Sequence, residues 1–210
     1  DLCEREMYLG QQYLGQSYNP TLEIVRTVDG AAPRSLRFKS IVKLASAEPL
    51  RSEIRLLGNG RWFAPEQERD SDAPCPVLLP DAMARKLGIA PGDVDRGDCY
   101  VLINGRRFIV QGLFDAAAYD RMRDLDGMTL LPFDIEAMAN VSALKSNAVL
   151  AKPSDPRIPA EHIVLCPAGR NLQIQLQYGN LQRTSMVVAM PGAPYKDARA
   201  TIDSYLERKA

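Results

Sequence analysis

The sequence predicts an α+β fold, and three observations carry that expectation. An Asn104-Gly105 pair sits between two β-rich runs, the strongest short hairpin signal, because a type I′ turn demands positive φ at both central positions. Several other short β-rich or alternating runs are separated by turn material rather than by long helices. Pro194 to Lys209 places Tyr195, Ala198, Ile202, Tyr205 and Leu206 on one face at spacings near 3.6, an amphipathic helix closing the chain.

In chain order, Leu2, Met7, Tyr8, Leu9, Tyr13 and Leu14 fit a helix loosely, interrupted by Gly10 and Gly15. After the Asn19-Pro20 turn signal, Leu22 to Val28 and Leu36 to Leu44 read as two strands around the turn material of residues 29–33. Ser52 to Leu57 alternates Ile54 and Leu56 with charged residues, a further strand that stops at Gly58-Asn59-Gly60, where two glycines can adopt positive φ. Residues 64–74, APEQERDSDAP, read as an exposed polar loop.

Pro76 to Leu79 is an apolar run. Pro80-Asp81 then opens a short helix through Leu87, with Met83, Ala84 and Leu87 on its apolar side and Gly88 at its C-terminal end. The hairpin from Cys99 to Leu113 follows. Met128 to Leu131 predicts a strand ended by Pro132, Asp134 to Asn140 a short helix, and Asn147 to Lys152 a strand. Leu172, Ile174 and Leu176 alternate with glutamines as a half-buried strand, flanked by strands at Ile163 to Cys166 and Ser185 to Met190.

The 210 residues suffice for one ordinary domain or two small ones, and 46% hydrophobic content can supply a core. Twenty-six basic residues balance twenty-six acidic ones, which removes the electrostatic footprint of a dedicated nucleic-acid binder. No run approaches the roughly 18 to 20 apolar residues that cross a bilayer, and no signal-peptide order opens the chain. With Asp1 in place of an initiator Met, the expectation is a soluble segment trimmed from a longer reading frame. Cys3, Cys75, Cys99 and Cys166 lack the spacing of a zinc site. Four cysteines allow three full disulfide pairings, and bridged and reduced thiols both stay open.

Candidate chemistry is sparse. The single histidine, His162, precedes Cys166 by four residues, so on one strand both would face the same side, but no third group completes a catalytic set. The pairs Asp70 and Asp72, and Asp124 and Asp126, lie in polar segments and read as solvated surface charge. No GxSxG, HExxH, P-loop or GxGxxG pattern is present. Arg106 and Arg107 in the hairpin, and Arg55 with Arg61, can meet an anionic partner or protect a strand edge, and edge protection is the preferred reading. No catalytic, cofactor-binding or metal-binding residue is assigned, and no cofactor is expected.

The order of these elements resembles the extracytoplasmic domain of MacB/FtsX-type ABC-transporter permeases. The similarity runs from Leu56 to Met138. Leu57-Gly58-Asn59-Gly60-Arg61-Trp62-Phe63 resembles the family's segment of leucine, glycine, arginine, aromatic and phenylalanine, followed by an acidic loop. Pro76 to Ile89, PVLLPDAMARKLGI, resembles its strand into a small helix. Val101 to Phe114, VLINGRRFIVQGLF, is the most specific part and is similar to its Asn-Gly hairpin. Met128 to Met138, MTLLPFDIEAM, resembles the strand, proline and helix that follow, and Ala198 to Ala210 the helix returning to the membrane. Residues 1–50 match poorly.

The resemblance implies a two-lobed periplasmic domain with mixed β-sheets. About 1–50 plus 140–210 would form a porter-like lobe and about 51–139 an inserted β-rich lobe. It implies a non-catalytic role in coupling cytoplasmic ATP hydrolysis to export, lipoprotein release or transmembrane signalling. The partners it implies are the permease's own transmembrane helices and a cognate cytoplasmic ATPase. A second permease copy and an extracytoplasmic adaptor or cargo protein are further partners it allows; nucleic acid is not among them. Two alternatives stand beside it. Leu87-Gly88-Ile89, Pro91-Gly92-Asp93 and the Asn-Gly hairpin also resemble swapped-hairpin and double-psi barrels that bind protein or DNA. An enzyme using His162 and Cys166 is the third.

Overall fold

The structure is a computed structural model. It describes residues 3–10, 22–28, 30–46, 48–69, 72–123, 129–132, 134, 137, 156–168, 170, 172 and 181–189, with 3–10, 49–50 and 181–189 described as backbone. The expected strand at Asn147 to Lys152, the helix Pro194 to Lys209, the alternating run after Leu172 and most of the helix Asp134 to Asn140 lie outside the described residues.

Among the described residues, ten strands form one mixed sheet: β1 (Cys3–Gly10), β2 (Leu22–Arg26), β3 (Arg34–Phe38), β4 (Ser40–Leu44), β5 (Leu56–Leu57), β6 (Cys75–Pro80), β7 (Tyr100–Ile103), β8 (Arg106–Phe114), β9 (Ile163–Pro167) and β10 (Leu181–Ala189). Among the described residues, the helices between them are α1 (Asp81–Leu87), α2 (Pro91–Asp95) and α3 (Ala116–Arg121), and Ala137 is also helical. The strand order is β10-β1-β4-β9-β6-β8-β7-β2-β3, and β5 pairs with the end of β8. The pairs β4 with β9 and β6 with β8 are parallel; the other pairs are antiparallel.

A single residue, Lys39, separates β3 from β4, yet five strands lie between them in the sheet. The sheet must therefore curl until these two strands meet. The Lys39 amide donates to the His162 carbonyl at 3.0 Å, tying the junction to the start of β9.

Residue parity separates the two faces of the curled sheet. Leu22, Ile24, Phe38, Ile41, Cys75, Val77, Leu79, Val101, Ile103, Phe108, Val110, Val164 and Cys166 converge in one buried cluster, the interior, with Met83, Ala84 and Leu87 of α1 closing over it. Their sequence neighbours Val42, Leu44, Leu78, Ile163 and Leu165 belong to a second cluster on the outward face, with Phe63, Phe114 and Tyr119. Every residue of β4, β6 and β9 is buried, and β6 and β9 accordingly read as continuous apolar runs, while β4 buries Ser40 and Lys43 among its apolar residues. Each fully buried Leu or Ile contributes about 1.5–3 kcal/mol by burial.

The parity breaks once within β8. Val77 faces Val110 but Leu78 faces Gly112, so Gln111 is the extra residue of a β-bulge. Before it, Phe108 and Val110 point inward; after it, Leu113 does, and Phe114 turns outward. The bulge residue also holds the neighbouring loop. Gln111 Nε2 donates to the carbonyls of Arg61 and Trp62 at 3.2 and 2.8 Å, its Oε1 accepts from Gln67 at 2.6 Å, and its carbonyl accepts from the Arg61 amide.

Several expected elements form as read. α1 ends at Gly88, at φ 72°, whose amide reaches the carbonyls of Ala84 and Arg85. β7 and β8 pair across Asn104 (φ 44°) and Gly105 (φ 81°), and the Asn104 side chain accepts from the Glu23 amide at 2.7 Å.

Others are corrected. The loose N-terminal helix is the strand β1, held between β4 and β10. Leu36 to Leu44 is two strands, because the curl turns at Lys39. Ser52 to Leu57 is mostly irregular: a 3₁₀ turn ends at Ser52, and strand pairing is confined to Leu56 and Leu57, opposite Phe114 and Leu113. In the 64–74 segment, Pro65–Glu68 forms a 3₁₀ turn rather than plain loop. Around Met128 to Leu131, the described residues show an isolated bridge from Thr129 to Arg123 in place of a strand. Gly58 takes positive φ, whereas Gly60 instead allows close backbone approach.

Candidate functional site

The catalytic candidate weighed from sequence is split between surface and interior. His162 closes the 3₁₀ turn Ala160–His162, its ring half-exposed and 3.8 Å from Glu161. Cys166 is completely buried in the interior cluster with Val164. Cys75 and Cys99 are unbridged thiols buried in that same cluster. Burial pushes the Cys75 thiol above its ordinary range, against the opposing pull of Arg170, Arg106 and Lys43; burial likewise raises Cys99, opposed by Arg26. A protonated, enclosed thiol is a poor nucleophile and a poor metal ligand. Among the described residues no group of three or more His, Cys, Asp or Glu side chains is placed to hold a metal ion.

Arg106 and Arg107 do not guard an edge. β8 lies between β6 and β7, and β7 between β8 and β2, so the hairpin is inside the sheet. Arg106, on the inward side, donates to the Leu172 carbonyl at 2.6 Å. Arg107, on the outward side, lies over the Tyr100 ring, its guanidinium carbon 3.7 Å from the centroid. Of the other basic pair, Arg55 is exposed and 3.6 Å from Asp115, and Arg61 is exposed. Of the carboxylate pairs, Asp72 is exposed; Asp70, Asp124 and Asp126 lie outside the described residues.

Electrostatic order is concentrated around α2. Asp93 accepts from the Ala90 amide at 3.0 Å and from Arg96 and Arg26 at 2.5 and 2.9 Å. The Ala90 hydrogen bond, helped by both arginines, holds the carboxyl below its ordinary range despite partial burial. Arg26 also donates to the Gly88 carbonyl, so β2 is clamped to the end of α1 and the start of α2. This is a positioning network rather than a site.

The feature that sequence reading missed altogether is the pairing of β1 with β10. β1 and β10 run antiparallel side by side, with Cys3 opposite Ala189 and Gly10 opposite Leu181. β1 pairs on its other side with β4, part of the buried centre of the sheet. Their separation in sequence hides this arrangement from any local window. No helix among the described residues is long and apolar enough to cross a membrane.

No protein-family model matches the chain, and no curated protein matches it. Among solved structures, the chain is similar to the periplasmic region of MacB from Actinobacillus actinomycetemcomitans, at 12% identity and TM-score 0.45, covering 98% of this chain and 83% of that one. It is also similar to the extracellular domain of the noncanonic ABC-type transporter YknZ from Gram-positive bacteria, at 13% identity and TM-score 0.33, covering 52% of this chain and 48% of that one.

Proposed function

We propose that this chain is a non-catalytic extracytoplasmic domain of an ABC-transporter permease, coupling ATP hydrolysis in the cytoplasm to export, lipoprotein release or signalling outside the membrane. The ordered motifs from Leu56 to Met138 support the reading. The observation that carries it is the pairing of β1 with β10, which brings Cys3 opposite Ala189. A domain inserted between two membrane spans needs its two connections near one another, and β1 and β10 lie side by side in a hydrogen-bonded ladder that continues through β1 into β4 and the buried strands. A displacement applied to β1 and β10 would pass into the sheet through backbone hydrogen bonds.

In this reading the partners are the permease's own transmembrane helices, a cognate cytoplasmic ATPase, a second permease copy and an extracytoplasmic adaptor or cargo protein. The two lobes would be about 1–50 plus 140–210 and about 51–139. A second reading, a β-barrel-type module binding a protein target, draws on the curl that joins β3 to β4 at Lys39.

The parent reading frame separates the two. Sequencing it through both ends and scanning hydropathy over about 19 residues should reveal an apolar span of about 20 residues on each side of this domain. Flanks without such spans would remove the permease reading and leave the binding module.

A further inference from the structure

The outward face of the curled sheet is covered unevenly. Over β4, β9, β6 and the end of β8, Phe63, Phe114 and Tyr119 pack against Val42, Leu78, Ile163 and Leu165. Across β8, β7 and β2 the same face carries Ile109, Tyr100, Leu102 and Val25, which stay half-exposed. The register makes them one stripe: Tyr100 faces Ile109, Leu102 faces Arg107, and Val25 faces Leu102. Their neighbours Val101, Ile103, Phe108, Val110 and Ile24 point into the core, so the stripe sits on a rigid backing.

Among the described residues, charge on this face is not balanced. Glu23 faces Arg37 at the rim, one cation against one anion. Arg107, exposed beside Leu102 on the β8 side of the stripe, stacks on Tyr100 and meets no carboxylate among the described residues. Stacking fixes the plane of the guanidinium while leaving its N–H edge directed to an incoming acceptor. Tyr and Arg in an apolar setting are the residue types on which binding energy concentrates.

The stripe is narrow. Three strands at spacings of about 4.8 Å, over about four residues of about 3.3 Å each, give on the order of 100–200 Å². That is well below the roughly 800 Å² per partner of a standard protein interface, so the surface suits a short segment rather than a docked domain.

We propose that this face is a docking surface for a short acidic segment of another protein, with a carboxylate accepting from Arg107 and apolar side chains lying on Tyr100, Leu102, Ile109 and Val25. The proposal does not depend on the permease reading, since it needs only the described face.

The test is selection of a phage-displayed random dodecapeptide library on the 210-residue chain, with affinities measured for the recovered peptides. Expected are peptides carrying Asp or Glu beside Leu or aromatic residues, binding at least tenfold more weakly to Arg107→Glu and to Ile109→Glu. Arg107→Lys should recover part of the loss, and Arg85→Glu, on the exposed side of α1, should change nothing. Matched thermal unfolding of the variants keeps misfolding apart from lost binding. Recovered peptides insensitive to both face variants, or an enrichment of none, would overturn the proposal. So would binding confined to vesicles of anionic phospholipid and lost with Arg107→Glu, which would make the face a lipid surface.

Discussion

Gly60 and Gly112 meet backbone to backbone where the loop after β5 crosses β8. A Cβ on Gly60 would lie 3.1 Å from the Gly112 Cα and 3.2 Å from the Leu57 carbonyl oxygen; one on Gly112 would lie 2.9 Å from Leu78 Cδ2 and 3.2 Å from the Gly60 Cα. Only two hydrogens fit between these chains. Gly112→Ala should therefore destabilise the fold by about 1–3 kcal/mol, read as a lowered urea midpoint at unchanged m-value. Adding Gly60→Ala should cost less than the sum of the single changes, because both push apart the same two segments.

The bulge at Gln111 gives a second test. Gln111→Ala loses the hydrogen bonds to the carbonyls of Arg61 and Trp62 and to Gln67, and should cost about 1–3 kcal/mol. Deleting Gln111 removes the extra residue and leaves β8 in strict alternation after Val110, with Leu113 still inward and Phe114 still outward, so the deletion should also fold. Circular dichroism and thermal unfolding should show both variants folded with lowered midpoints; an unfolded deletion would contradict the placement of the bulge at Gln111.

Asp93 makes stability depend on acid. Its carboxyl is held below its unfolded value of about 3.9, so the stability it contributes is complete above that value and is lost as pH falls through the lower folded one. Asp93→Asn should cost roughly 1–2 kcal/mol at neutral pH. The gap between variant and parent should close as pH drops below about 4. Urea unfolding at a series of pH values measures it.

Cys75 and Cys99 are enclosed and protonated, so an aromatic disulfide reagent should label them slowly in the native protein and rapidly in denaturant. Peptide mass spectrometry locates the label. Fast native labelling at Cys75 would contradict the placement of β6 in the interior.

Local chemistry makes part of this fold readable. Pro80-Asp81 and Gly88 bracket α1 because a helix start and stop are written in a few adjacent residues. The Asn104-Gly105 pair writes its hairpin in the same way. β1 is different. Glu4, Arg5, Glu6 and Met7 favour helix locally, and the strand exists because β4 and β10 supply hydrogen-bond partners from distant parts of the sequence. The turn at Lys39 leaves no mark in a β-rich run, since it follows from the closure of the whole sheet. For the same reason Arg106 and Arg107 read as edge guards: the hairpin is visible in sequence, its neighbours β6 and β2 are not.

The most direct test of the permease account is the side of the membrane on which this domain lies. Arg69 is exposed beside the polar segment that precedes β6, a ready tryptic site. Spheroplasts of bacteria expressing the full parent reading frame would be treated with trypsin, and the domain followed by an antibody. Cleavage at Arg69 while a cytoplasmic marker stays intact is the result the account predicts. Cleavage only after lysis would place the domain inside the cell and contradict it.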